Sequence, residues 1–571
     1  MGVAGLWDIL RPAGDTRSLT HLAVVDGFEA NPDGVRGFRV GIDASIWFYH
    51  AAHGGRAGEN PELRTLFFRC TRLMSAPFLP LFVFDGPKRP ETKRGNRISG
   101  KNHWMIQGMQ EIINAFGFEW CMAPGEAEAE LAYLNHIGVI DAVYTDDVDA
   151  FLFGAKMIVR NAGVEDGNHV ATYTSHAILT HPSIELTHGG LILMGILCGG
   201  DYHPAGLIGC GSTIAHGLAR CGFGDSLYNA ARTLPRSELR AFLRVWVEEV
   251  RIELHTNARG ILSKKYTALA KKIPEDFPDI DVLLSYTNPV TSESEAASKG
   301  RVPKITMLDW EKEPDLGKIA GLCEMYFEWG VKETIMKRFR TILWPAVVLR
   351  ILRRVALSED MRTMSQAARS VLLHPATPTR KDKNRERHVP GTPSSIITKH
   401  FSSLHLSSPK RAGRTDCDTE DEGDEDKLIV KIHSSRQHTS TDNVLEYRIE
   451  VAPVHLVRLS ESGLRGLRTA LATGLDSGSN VLEGDESDGV VQGKKRLPKP
   501  PPNPKDHLRI WMPACMIRIA RPDLVEGFER IQEMRTTEKV AVNARSTARG
   551  SKVKRSNAFG QRQRQGRMSR C

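Results

Sequence analysis

Hydrophobic runs recur along the first two hundred residues, and acidic residues recur at or just beyond their ends. Phe38–Ile42 and Leu79–Phe84 read as buried strands that stop at Asp43 and Asp85, with a helical pattern between them. Ile140–Tyr144 is a third strand, followed by Thr145-Asp146-Asp147-Val148-Asp149. Pro124-Gly125-Glu126-Ala127-Glu128-Ala129-Glu130 opens a helix that runs to about His136 and stops before Gly138. From Gly2 to about Gly224 strand and helix alternate, which predicts an α/β unit on a parallel sheet. In such a sheet the carboxyl ends of the strands share one edge. Asp43, Asp85, Glu126, Glu128, Asp147, Asp149 and Asp201 can therefore converge there.

Beyond this unit the pattern turns helical, with amphipathic segments at Ser237–Glu253, Leu316–Trp329 and Val331–Arg354 that are expected to pack on the first unit. Residues 375–427 shift to Ser, Thr, Pro and charge and end in the acidic run Asp416–Asp426, as a disordered linker does. Thr377-Pro378, Thr392-Pro393 and Ser408-Pro409 within it have the form of proline-directed phosphorylation sites, a form that is also frequent by chance in linkers. Alternation returns at Leu428–Ile432 and Leu445–Val457 as half-buried strands, and a second disordered stretch covers 473–505. Leu508–Ala520 and Pro522–Arg530 then read as strand and short helix. The predicted units are 1–225, a helical extension 226–374, the linker 375–427, a small β-rich module 428–532 and a tail 533–571.

Charge changes the picture of that tail. The chain of 571 residues carries a net charge of +9, while residues 535–571 alone hold eleven Lys or Arg against one Glu. The basicity is thus an arm, of the kind that binds nucleic acid or directs nuclear import, and the nucleus is the expected compartment. Nine scattered cysteines without a CxxC pair argue against a disulfide scaffold or a zinc site and for a reducing compartment. No apolar run has the length of a membrane span, so no membrane partner is expected, and Met1–Leu10 lacks the features of a signal peptide.

Seven converging carboxylates need cations, and hard divalent ions with oxygen ligands suit them best. Two Mg²⁺ ions side by side, or Mn²⁺ in their place, fit phosphodiester hydrolysis. Ordinary cap and surface acids are the plainer account of each residue alone, since acids in a first helical turn face the positive end of the dipole. An entry turn after Pro124-Gly125 can aim Glu126 and Glu128 at one cleft, leaving Glu130 on the helix face. Leu191–Leu197, Cys198–Tyr202 and Gly206–Ala215 read as helix, turn, helix. Gly209-Cys210-Gly211 just before the second helix would let a phosphate approach the backbone. Lys88, Arg89, Lys93, Arg94 and Arg97 form a basic cluster past Asp85, read as steering phosphates rather than as solvated charge. Tyr49 is placed to stack a base, or to sit in the core.

On these residues the sequence resembles the flap endonuclease and XPG superfamily of structure-specific nucleases. Met1-Gly2-Val3 with Gly5-Leu6-Trp7, Gly41–Ser45, Val83–Gly86, Ala123–Ala129, Thr145 with Asp147 and Asp149, and Gly200-Asp201-Tyr202 match its motifs in order. The match covers about residues 1–345 and is nearest to Gen/Yen-type Holliday junction resolvases. Glu126 follows Asp85 by only 41 residues, which leaves no room for the long helical arch of replicative flap endonucleases. The resemblance implies a PIN-like parallel-sheet nuclease core with a helix-turn-helix, and a chromodomain-like module near Leu428–Arg530. It implies Mg²⁺-dependent cutting of four-way junctions and flaps, 5′-phosphate and 3′-hydroxyl products, and a homodimer on junctions. Gly2, Gly209, Gly211, Ser212 and Thr213 would meet DNA. Ser212-Thr213 stands where the family usually has a basic residue, so backbone amides and a K⁺ ion held by carbonyls would carry phosphate binding there. The rival readings are a flap-cutting enzyme or exonuclease, an inactive nuclease fold acting as a chromatin scaffold, and a PIN-fold ribonuclease.

Overall fold

A computed structural model of the chain describes residues 2–52, 58–90, 92–93, 95–97, 105–161, 168–301, 308–371, 428–468 and 503–539. The predicted linker 375–427 with its three Ser/Thr-Pro sites, most of 473–505, Arg94 and the tail from 540 lie outside the described residues.

Seven strands form the central sheet: β1 (Asp15–Ser18), β2 (Phe38–Asp43), β3 (Phe78–Phe84), β4 (Glu119–Met122), β5 (Ala142–Tyr144), β6 (Met157–Asn161) and β7 (His169–Thr174). Their spatial order is β1-β7-β6-β5-β2-β3-β4. β3 reads Phe-Leu-Pro-Leu-Phe-Val-Phe and is buried throughout, as a strand covered on both faces must be. The five strands β4, β3, β2, β5 and β6 pair in parallel. The expectation of an all-parallel sheet needs correction at one edge, because β7 runs antiparallel to β6 and to β1. β1, Asp-Thr-Arg-Ser, has no apolar alternation to announce it.

The helices that position the acids are α1 (Ala44–Ala52), α2 (Pro61–Met74), α3 (Ala127–His136), α4 (His188–Cys198) and α5 (Ser212–Arg220). The second helix of the helix-turn-helix begins at Ser212 rather than at Gly206, because Gly206 and Gly209 take φ values of +55° and +92° that no helix continues through. α6 (Arg236–Thr256) and α7 (Leu316–Tyr326) follow as expected. The segment predicted over Val331–Arg354 is instead Lys332–Arg338, a wide turn at Phe339–Leu343, and α8 (Trp344–Val371).

The β-rich module is a three-stranded antiparallel sheet of β8 (Ile429–Gln437), β9 (Leu445–Val451) and β10 (Leu508–Pro513). Two of its strands are shorter than the pattern predicts. β9 yields to α9 (Val454–Glu461) and β10 to α10 (Ala514–Ala520), with Pro453 and Pro513 in the cap positions. Proline has no N–H for the ladder and suits a helix entry, so each ends a strand and starts a helix. The last helix spans 522–539, past Arg530 and into the start of the predicted tail.

This module is welded to the first unit. One apolar core runs from Phe82 and Phe116 through Trp344 to Tyr447 and Met516. Trp344 Nε1 donates to Ser460 Oγ at 3.2 Å, and the buried Glu324 carboxylate accepts from Arg465 N at 2.8 Å and Leu467 N at 2.9 Å.

Candidate metal centre

Asp43 closes β2 with 2 % of its surface exposed, and Asp85 follows β3. Ser45 ties them together, its N–H donating to Asp43 Oδ1 at 2.7 Å and its hydroxyl to Asp85 Oδ2 at 2.8 Å. The other Asp85 oxygen accepts from Ala127 N at 2.9 Å and so holds the entry of α3 against the strand ends. Glu126 sits at the N-cap of α3 in extended conformation and Glu128 in its first turn, so both turn to the same side. Glu130 leaves the cleft as expected, accepting from the backbone N–H of Ser292 at 2.8 Å and from its hydroxyl.

After β5 the chain folds on itself through a ladder of hydrogen bonds. Asp147 N donates to Thr145 Oγ1 at 3.0 Å, Asp149 N to Asp147 Oδ1 at 3.1 Å, and Val3 N to Asp149 Oδ1 at 3.1 Å. Asp146 points away, its carboxylate 3.6 Å from Arg160. Asp201, beyond α4, completes the group. Ligand oxygens of Glu128, Asp147 and Asp201 all lie within 4.8 Å of one another.

The cation now among these acids is Lys93. Its Nζ lies 3.0 Å from Glu126, 3.3 Å from Glu128 and 2.9 Å from Asp201. Three members of the basic cluster expected to steer phosphates are engaged with acids in this way. Lys88 pairs with Glu295 at 2.5 Å and Arg89 with Asp85 at 3.4 Å. The turn between Thr92–Lys93 and Asn96–Arg97 brings Lys93 inward. Tyr49 lies on α1, but its side chain, like Arg94 and the side chain of Arg97, is outside the described residues.

Burial dominates the electrostatics. It raises the Asp43 carboxyl to about 7, with Asp85 adding to the rise. Burial also lifts Glu128, Asp147 and Asp149 above the usual carboxylate range, and neighbouring acids reinforce it while Lys93 partly offsets it. Burial works against the Lys93 charge too, but Glu128, Glu126 and Asp201 outweigh it and hold the ammonium protonated. Tyr202 donates its hydroxyl to Glu126 Oε2, a partner that sequence reasoning noted only as part of a motif.

These residues fit a hard cation on two observations. Lys93 is a positive charge standing where the carboxylates demand one, and Glu128 Oε2 is buried without a hydrogen-bond partner among the described residues. A cavity of about 210 Å³ lies nearby, lined by Trp47, Arg69, Arg72, Tyr144, Asp146 and Asn168. It touches none of the seven acids, so the acid edge, not the cavity, holds the metal chemistry.

Gly2 presses on the same edge. Its φ is +81°, and a Cβ there would stand 2.2 Å from Asp149 Oδ1 and 2.4 Å from Asp147 Oδ1. Gly2→Ala should therefore displace both carboxylates and lower metal-dependent nicking by about 10- to 100-fold, the range for disturbing groups that orient metal ligands. Nicking measured across a Mg²⁺ titration checks this, and an unchanged curve would refute it. Gly209, Gly211, Ser212 and Thr213 lie on the hairpin and first turn of α5, where Ser212 Cβ stands 3.7 Å from the position of a Cβ on Gly5. Open space surrounds the position of a Cβ on Gly211.

Three family models match the chain: the XPG N-terminal domain over residues 1–101, the XPG I-region over 117–201, and the Holliday junction resolvase Gen1 C-terminal domain over 428–531. The flap endonuclease GEN homolog 1 of Mus musculus is 31% identical over 249 residues, 40% of this chain and 26% of that protein. The flap endonuclease GEN-like 1 of Arabidopsis thaliana is 31% identical over 239 residues, 37% of each. The chain thus spans only 26% to 37% of the length of these GEN relatives. Among solved structures it is similar to a eukaryotic junction-resolving enzyme GEN-1 binding with cesium, at 26% identity and a TM-score of 0.63, covering 93% of this chain and 100% of that one. It is also similar to the Holliday junction-resolving enzyme GEN1 in complex with product DNA and Mg²⁺, at 25% identity and a TM-score of 0.60, with the same coverage. The acid-lined sheet edge, the three matched regions and these relatives agree: the chain belongs to the XPG and flap-endonuclease superfamily of nucleases.

Proposed function

We propose that the protein is a divalent-metal-dependent endonuclease that cuts branched DNA, four-way junctions foremost, by paired nicks. The observation that carries this reading is the convergence of Glu126, Glu128 and Asp201 on one buried cationic position, with Asp147 in the same cluster. Two Mg²⁺ ions, or Mn²⁺, would supply there an acidified water and charge neutralisation at the scissile phosphate. Glu126, Glu128, Asp147 and Asp201 would hold that charge most directly, and Asp43, Asp85 and Asp149 would complete the set. The N–H groups of Ser45, Asp149 and Val3 fix the carboxylates of Asp43, Asp147 and Asp149 before any ligand arrives, so little reorganisation remains at the moment of reaction.

Away from the acids, the hairpin at Gly209 and Gly211 seats a duplex arm through backbone amides, with a K⁺ ion on its carbonyls. The family core is PIN-like, the β8-β9-β10 module is chromodomain-like, two protomers meet on a junction, and the protein works in the nucleus. The proposed domains are 1–225, 226–374 and 428–532, the last helix carrying the third on to Lys539. The deciding experiment is a panel of labelled junctions, flaps and duplexes with Mg²⁺. Symmetric nicks in a four-way junction support resolution, and cutting of flaps alone would replace it with flap processing.

Gly211→Val provides a second check. Space is open around Gly211, so the fold should tolerate valine while the branched side chain blocks phosphate approach to the α5 amides. Affinity for a plain duplex should fall about 10-fold, as expected for losing one or two charge-assisted hydrogen bonds. Unchanged affinity in a folded protein would remove the hairpin from the interface.

A further inference from the structure

The helix-turn-helix is short of charge where it would meet a phosphate. α5 opens with Ser212-Thr213, and its one arginine, Arg220, sits in the last turn paired with Glu185. The segment after α6 supplies what α5 lacks. It leaves α6 at Asn257, whose side chain donates to Leu262 O at 2.8 Å and accepts from Leu262 N at 3.1 Å. Leu262 is buried on α5 so closely that a Cβ at Gly217 would lie 2.8 Å from its Cδ2. Farther on, leucine packing repeats at the hairpin itself, where Leu269 Cδ1 stands 3.7 Å from the position of a Cβ on Gly209. Tyr266 N donates to Leu254 O at 2.6 Å and ties the middle of the segment to α6.

Lys264 and Lys265 lie between these two anchors, and Lys271 and Lys272 just past the second; all four are exposed. Among the described residues none of the four has an ion-pair partner, and Lys264 only overlies the Tyr266 ring at 5.7 Å. Other surface lysines are paired, Lys312 with Glu119 and Lys332 with Glu461 among them. Ile208, 77 % exposed on the same hairpin, adds an apolar tip suited to a sugar edge. Unpaired cations on a pinned backbone hold a polyanion without first breaking an internal pair.

We propose that Lys264 and Lys265, supported by Lys271 and Lys272, form the phosphate-binding edge for a duplex arm seated on the Gly209–Thr213 hairpin, in place of the cations absent from the start of α5. This rests on the branched-DNA reading above, whose arm the edge would hold.

The test is a salt titration of binding to a plain duplex and to a four-way junction, using the full chain. Lys264→Ala with Lys265→Ala should weaken duplex binding about 10-fold near 0.1 M salt and lower the log-log salt slope by about 2, since each phosphate no longer neutralised removes about 0.9. Arginine at both positions should restore the slope. The pair Lys312→Ala with Lys332→Ala removes the same net charge from paired lysines and should leave the slope unchanged. If the wild-type protein binds but the Lys264/Lys265 double variant keeps its slope, or if the control pair lowers it equally, the lysine edge is wrong while the nuclease reading stands. If the wild-type protein binds neither DNA, the branched-DNA reading falls and takes the edge with it.

Discussion

Asp147→Asn should abolish Mg²⁺-dependent nicking of a four-way junction, by about 10³-fold or more, and yet raise the melting temperature of the metal-free protein. The two effects have one cause. Asp147 is 1 % exposed, and burial together with the neighbouring Asp201 disfavours its charge. The amide keeps an oxygen for Asp149 N and leaves the Thr145 hydrogen bond to the backbone untouched, so the turn after β5 should persist. What disappears is one negative charge that a divalent ion needs, an interaction of several kcal/mol, and about 4 kcal/mol corresponds to a 10³-fold loss of rate. Without metal the same charge is a liability to the fold, as buried like charges are. Single-turnover nicking in Mg²⁺ and melting in a chelator measure the two halves. Comparable cutting, or a lower melting temperature, would contradict the placement of Asp147 in the metal centre. Binding of the junction should survive, since phosphates are held elsewhere.

The acids are legible in the sequence because chain direction places them. Asp43 ends β2, Asp85 follows β3 and Asp147 follows β5, and three parallel neighbours deliver their ends to one edge. Lys93 is not legible in the same way. In sequence it stands in a run with Lys88, Arg89 and Arg94, and only the reversal between Thr92 and Arg97 turns it toward Glu126, Glu128 and Asp201. The antiparallel edge is hidden for another reason: β1 pairs with β7 through backbone groups, and its polar residues carry no strand periodicity. Strand limits at Pro453 and Pro513 escape the pattern because apolar residues continue beyond each proline, on strand and helix alike, while the missing N–H decides where the ladder stops.

Lys93→Met should destabilise the metal-free protein strongly at pH 8, weakly at pH 5, and Mg²⁺ should restore much of the loss at pH 8. At neutral pH Lys93 is the charge that lets Glu126, Glu128 and Asp201 share one buried corner. Removing one partner of such a group leaves uncompensated buried charge, which costs about 3–5 kcal/mol. The pH dependence follows from the carboxyls, and its sign is opposite to that of an ordinary salt-bridged acid. Asp43 ionises near 3.8 when unfolded and about 7 when folded. Below the first value both states are protonated and the fold loses nothing. Between them the unfolded chain gives up its proton while the folded one retains it, so stability falls as pH rises and levels off above about 7. Glu128, Asp147 and Asp149 are raised in the same direction, and Lys93 opposes the rise in all four. Without Lys93 the fall with pH must therefore steepen. An ion that binds the folded acids only, in their ionised form, stabilises by its own mass action and does so more at pH 8 than at pH 5. Melting of wild type and Lys93→Met at both pH values, in chelator and in Mg²⁺, checks each step. A difference between the two proteins that is the same at pH 5 and pH 8, or untouched by Mg²⁺, would mean that Lys93 is not the counter-charge of the metal centre.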